Sequence, residues 1–128
     1  MTSLLALLLL QAPTPEPITS TPALTGTAAY SYHIESAADV RGLSLAGRHG
    51  CAVLDFSLIG RDAWVFISNQ WLGPLRIVDC TAAHHRHLWA AWRRVIDLPW
   101  ALWETLHLPL APVPALVTFS PPTSPTWY

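Results

Sequence analysis

The stretch Arg94-Val-Ile-Asp97-Leu-Pro-Trp-Ala-Leu-Trp-Glu-Thr-Leu106 joins a short β-branched run to a helix-prone one, with an acid and a proline at the junction. Arg94–Leu98 reads as a brief strand. Asp97 is then a candidate N-cap, with Pro99 shortly inside and Trp100–Leu106 continuing as one or two helical turns. Upstream, Arg76-Ile-Val-Asp79-Cys80 and Ala52-Val-Leu-Asp55-Phe-Ser-Leu-Ile-Gly60 carry two further acids. Only 12% of the residues are charged, yet three carboxylates stand inside apolar, strand-like runs. An ionised carboxylate is costly to bury unless paired, so such positions are capped, bridged or functional.

Around this stretch, short strands dominate. Thr25–His33 alternates, with Tyr30 and Tyr32 on one side and Ala29 and Ser31 on the other. Leu43–Gly50 is a Gly-punctuated loop. In Ala52–Ile59, Leu54, Phe56 and Leu58 face one way and Val53, Asp55 and Ser57 the other. Ala63–Ser68 follows with Val65 and Ile67 opposite Trp64 and Phe66, and Asn69–Gly73 supplies a turn. Pro74–Cys80 resumes as a strand in which Leu75, Ile77 and Asp79 share a face. Residues 82–92 form a short helix or an ordered loop, and Val113–Phe119 is the last strand. Several short strands with a helix placed late indicate an all-β protein built as a small β-barrel.

The chain of 128 residues has room for one core. Residues 1–24 comprise an apolar N-terminus and a Pro/Thr-rich linker, 25–120 the folded domain, and 121–128 a Pro-rich tail. Met1–Leu10 is too short to span a bilayer but suits the core of a secretory signal, or a short helix docking on the domain or a partner. A net charge of −1 gives no electrostatic case for nucleic acid or an anionic membrane, and a monomer is expected. Cys51 and Cys80 are the two cysteines. No second pair exists for zinc. A disulfide between them would close a loop of about 30 residues and stabilise by roughly 3–4 kcal/mol; the alternative is two small buried thiols. Seven Trp suit both core filling and sugar stacking.

The order strand–Asp–strand–Asp–helix–strand resembles the double-psi β-barrel of rare lipoprotein A and the three-aspartate domain of cell-wall hydrolases. Arg94-Val-Ile-Asp97-Leu-Pro-Trp-Ala-Leu-Trp-Glu-Thr-Leu looks like the family's R-I-I-D-L-S-x-A-A-A-x-x-L, and Arg76-Ile-Val-Asp79 like its V-x-V-x-D strand. Ala52-Val-Leu-Asp55 with Leu58-Ile-Gly60 is similar to A-V-D-P-x-x-I-P-L-G. Thr25-Gly-Thr-Ala-Ala-Tyr-Ser-Tyr32 resembles the opening G-x-A-S-x-Y strand, and Val113–Phe119 the closing V-x-V strand. The likeness covers about residues 25–119. It implies a six-stranded double-psi barrel with one or two short helices and a groove that takes peptidoglycan or another polysaccharide. It further implies a secreted, envelope or virion-associated location, with no cofactor. By position, Asp79 is the family's general acid, Asp55 its partner across the groove, and Asp97 the third aspartate. The chain departs from the family after Asp79, where Asp79-Cys-Thr-Ala-Ala replaces a D-R-G-P or D-T-G-G turn that shapes the groove.

Lytic cleavage of a glycan needs an acid to protonate the glycosidic oxygen while the sugar's own C6 hydroxyl attacks. Asp79, flanked by Ile77 and Val78, is expected to be desolvated as such an acid requires. Asp97 is expected to be structural, as a helix cap. The run His84-His85-Arg86-His87 lacks the i, i+4 spacing of a helical metal pair, so no metal is expected and His84, His85 and His87 are candidate substrate contacts. Trp71, placed in a turn, is the candidate stacking residue. Two functions follow from these residues. One is a peptidoglycan-cleaving enzyme. The other is a non-catalytic glycan-binding or structural barrel of an envelope or virion assembly.

Overall fold

The computed structural model describes residues 21–122. The apolar run Met1–Leu10, most of the linker and most of the tail lie outside the described residues. Six strands form a closed barrel: β1 (Leu24–Ser31), β2 (Gly50–Val53), β3 (Asp62–Ile67), β4 (Gln70–Cys80), β5 (Arg94–Pro99) and β6 (Val113–Thr118). Their order around the barrel is β1-β5-β2-β4-β3-β6. β1 runs parallel to β5 and β2 parallel to β4, and all other pairs are antiparallel. This mixed, closed sheet is compatible with a double-psi barrel. Closure leaves no edge strand open to pairing.

Period-two alternation fills the interior. Cys51 and Val53 of β2, Val65 and Ile67 of β3, Leu75 and Ile77 of β4, and Ile96 and Leu98 of β5 all enter one core. β3 and β4 form a hairpin whose two turn residues, Ser68 and Asn69, both take positive φ (52° and 65°). That conformation matches the twist of the flanking strands. The turn is therefore only two residues long, and Trp71 lies in β4 opposite Phe66 rather than in a turn.

Three short α-helices complete the fold: α1 (Ile34–Arg41), α2 (Arg86–Ala91) and α3 (Trp100–Thr105). The helical content thus exceeds the one or two helices expected. α2 follows a 3-10 turn at Ala83–His85, within the segment read as helix or loop. α1 carries signals that alternation in the strands obscured. Ile34 and Ala38 are four apart, Glu35 sits in the first turn, and Gly42 ends the helix in the left-handed conformation. Ile34 and Ala38 pack on Ala52 and Val78, a small apolar cluster outside the barrel. α3 closes one end, with Trp103 fully buried and its indole N–H donating to the Pro109 carbonyl (3.0 Å).

Three expectations about local structure are corrected. β2 stops at Val53, because the Asp55 carboxylate accepts from the Ser57 N–H (2.9 Å) and turns Phe56–Leu58 into a 3-10 helix. Asp97 does not cap α3: β5 runs on through Pro99, which is itself the N-cap with no side-chain bond. Cys51 and Cys80 are free thiols. Cys80 pairs with Val53, so Cys51 lies two residues further along the adjacent strand. That offset puts the two Cα atoms about 8 Å apart, beyond the reach of a disulfide.

Because Trp103 fills the barrel end completely and has its only polar atom satisfied, Trp103→Ala should lower the unfolding free energy by about 3–5 kcal/mol, as read from urea midpoints at unchanged slope.

Candidate functional site

The site is built on Ala52. In β2, Ala52 pairs on one side with Asp79 of β4 and on the other with Asp97 of β5. With neighbouring strands about 4.8 Å apart, the two aspartate Cα atoms stand about 10 Å apart across a small side chain. All three residues line an open groove of about 650 Å³. His33 and Arg41, at the two ends of α1, form one wall, and His85, Leu88 and Trp89 contribute the other.

Two register slips shape this floor, one turning Asp79 and the other Arg94 out of the barrel, while Asp97 already faces outward between the core residues Ile96 and Leu98. Between Cys51 and Ala52, β4 carries one residue more than β2. Ile77 points into the core, Val78 packs outside under α1, and Asp79 follows Val78 onto the outer side next to Ala52. The expected shared face of Leu75, Ile77 and Asp79 is therefore broken after Ile77. Between Thr27 and Ala28, β5 likewise carries one residue more than β1, at Val95. That slip puts Arg94 on the same face as Asp97, although residues three apart on a regular strand face opposite ways.

The two acids have different environments. Asp97 is buried, and Arg94 grips it with two bonds, Nε to Oδ1 and Nη2 to Oδ2, both 2.7 Å. The Arg94 guanidinium also stacks over the Trp89 ring at 4.8 Å. Burial pushes the Asp97 carboxyl above the ordinary Asp value, the Arg94 bonds pull it back, and the charge of Asp79 adds to the rise. Asp79 is one-third exposed (33%) and accepts one bond, from Arg41 Nη2 to Oδ1 at 3.2 Å. The desolvated setting expected for Asp79 is thus found at Asp97.

The remaining candidates separate. Asp55 lies outside the groove lining, fully exposed. Bonds from the Ser57 hydroxyl (2.8 Å) and N–H hold its carboxyl below the ordinary Asp value. It caps the 3-10 turn. Trp71 is buried against Phe66, ring centroids 5.3 Å apart, and is not a groove residue. His85 lines the groove; His84, tilted against it with ring centroids 4.1 Å apart, and His87 are exposed but do not. Among the described residues, no three His, Cys, Asp or Glu side chains gather as a metal set, and no helix is long and apolar enough to cross a membrane. Arg41, His33 and Trp89 were not singled out by the sequence; Arg41 could have been found through the Gly42 stop signal of α1.

Cys80 reaches the groove, whereas Cys51 is sealed in the core, and burial raises both thiols, Cys51 far more. A thiol-specific reagent should therefore modify one cysteine slowly in the native protein and two after unfolding. Two unreactive thiols after unfolding without reductant would contradict the free-thiol assignment.

The raised Asp97 carboxyl also fixes a sign. The folded chain holds this proton more tightly than the unfolded one. Its contribution to stability is therefore largest below the ordinary value of 3.8 and is lost as pH rises through the raised folded value. Asp97→Asn removes that slope. In urea unfolding from about pH 3 to about pH 7, the variant should gain on the parent as pH rises. A difference independent of pH would contradict the assignment.

Comparison with protein-family models, with curated proteins and with solved structures yields no match to this chain.

Proposed function

We propose that the barrel is of the double-psi type and acts on cell-wall glycan, cleaving a peptidoglycan strand in the manner of a lytic transglycosylase with Asp79 as the acid. The observation that carries this reading is the position of Asp79. The register slip turns it out of the core onto the floor of an open groove, a third exposed. Among the described residues only Arg41 bonds it, through one oxygen, so its other oxygen is open to a ligand.

In the proposed reaction, protonated Asp79 gives its proton to the glycosidic oxygen. The C1–O bond breaks, the C6 hydroxyl oxygen of the same sugar bonds to C1, and the hydroxyl proton returns to Asp79. Water is not consumed and the carboxyl is regenerated. Asp97, held by Arg94, stands on the same floor. His85 and Trp89, which line the same groove, are proposed to contact the sugar. Asp55 and Trp71 have no part in this scheme. The work is proposed for a protein outside the cytoplasm, secreted, in the envelope or on a virion.

The Arg41 bond to Asp79 favours a second reading, a non-catalytic glycan-binding barrel. An ion-paired carboxylate accepts hydrogen bonds from sugar hydroxyls but has no proton to give.

The two readings part in one experiment. The full chain is incubated with purified peptidoglycan, soluble products are examined by mass spectrometry for anhydro-ended muropeptides, and sedimentation with the insoluble wall reports binding. On the first reading the parent protein releases them and Asp79→Asn lowers release by about 100-fold or more. Binding without release, in parent and variant alike, supports the second reading, and absence of both overturns the glycan assignment.

A further inference from the structure

A second depression, of about 440 Å³, adjoins the groove and shares His33, Arg41 and Asp79 with it. The Arg41–Asp79 pair is thus a ridge between the two. The far side is lined otherwise by Ser36, Ala37 and Val40 of α1, and among the described residues Asp79 is the one acid bordering it. Its polar groups besides Asp79 are the Arg41 guanidinium, the His33 imidazole and the Ser36 hydroxyl, beside the apolar side chains of Ala37 and Val40.

Arg41 has donor capacity to spare. A guanidinium carries five N–H donors, and among the described residues only one bond, Nη2 to Asp79 at 3.2 Å, is made. Its side chain is 32% exposed, and the guanidinium carbon lies over the Phe56 ring, 5.6 Å from its centroid, a contact that uses no donor. The backbone at Arg41 is pinned, because the helix ends there on bonds from the Gly42 and Leu43 N–H groups to Asp39 and Ala38. Arg94 is the contrast. It is committed to Asp97 through two bonds and stacked on Trp89.

We infer that this second depression is a subsite for a carboxylate carried on a side branch of the glycan, and that Arg41 is the residue that reads it. The inference rests on the glycan reading above and narrows it to acidic glycans. When the branch carboxylate enters, Arg41 exchanges Asp79 for it, forming the forked pair that a single oxygen of Asp79 does not give. Asp79 is then released to face the glycosidic bond. Recognition of the branch and freeing of the acid are one event, so a neutral glycan lies in the groove without releasing Asp79.

The test is equilibrium binding by calorimetry to two disaccharides with closely similar sugar backbones. One is N-acetylglucosaminyl-N-acetylmuramic acid, with its free lactyl carboxylate, and the other is diacetylchitobiose, which has none. The parent protein should prefer the acidic disaccharide by on the order of tenfold. Arg41→Ala should erase that preference, and Arg41→Lys, which keeps the charge but not the fork, should keep part of it. Asp79→Asn, which removes the internal competitor, should tighten binding of the acidic disaccharide. Equal binding of both disaccharides by the parent would overturn the inference while leaving the glycan reading intact. A preference that survives Arg41→Ala, or acidic binding weakened by Asp79→Asn, would overturn it too. Binding of neither disaccharide would overturn the glycan reading and this subsite with it.

Discussion

Val78 in β4 and Val95 in β5 are each one residue more than the parallel partner strand can match. Strict alternation through these strands would send Asp79 inward after Leu75 and Ile77, and would send Arg94 inward ahead of Ile96 and Leu98. The interior those residues share is apolar, and an ion placed there would cost several kcal/mol beyond what pairing returns. The two slips remove that conflict: they let β4 and β5 keep their apolar residues in the core while their charged residues leave it. The groove exists because both slips deliver charge to the same side, next to Ala52.

That outward turn also anchors the wall of the groove. Val78, displaced to the outer surface, joins Ala52 as the seat on which Ile34 and Ala38 of α1 rest. The approach is close. A Cβ at Gly50 would come within 2.8 Å of Ile34 Cγ2 and 3.2 Å of Val78 Cγ2, so glycine at the start of β2 sets how near α1 lies. α1 in turn carries Arg41 to Asp79. The position of one groove residue therefore depends on the slip that exposes the other.

The strands were legible because burial leaves a period-two trace. Val65 and Ile67 alternate into the core as read, and β5 and β6 fall where their apolar runs stand. Misreadings arose where a local interaction or a pairing partner overrides that trace. The Ser57 N–H gives the Asp55 carboxylate a bond that ends β2 early, although Leu54, Phe56 and Leu58 continue the alternation on paper. Two residues with positive φ, Ser68 and Asn69, make the hairpin tighter than the run to Gly73 suggested, and so carry Trp71 into the sheet. Asp79 and Asp97 were legible as unusual acids, but their meeting over Ala52 was not. A one-residue slip is a property of two strands together, and neither strand's own alternation records it. The carboxylate expected opposite Asp79 was Asp55, and the one found there is Asp97.

The two Arg–Asp pairs on this floor use the same chemistry at different depths. Arg94 and Asp97 form a forked pair whose acid is buried. Breaking such a pair costs about 3–5 kcal/mol, because it strands a charge away from water. Arg41 and Asp79 share one bond with both side chains a third exposed, and pairs in such settings contribute about 0–1 kcal/mol. A carboxylate from a ligand can displace the second pair at little cost and cannot displace the first. One pair therefore holds β5 and Trp89 in place while the other stays exchangeable. The difference follows from what surrounds each pair: Trp89 covers the Arg94 guanidinium that grips buried Asp97, whereas Asp79 stands near the end of β4, a third exposed and bonded by Arg41 at the tip of α1.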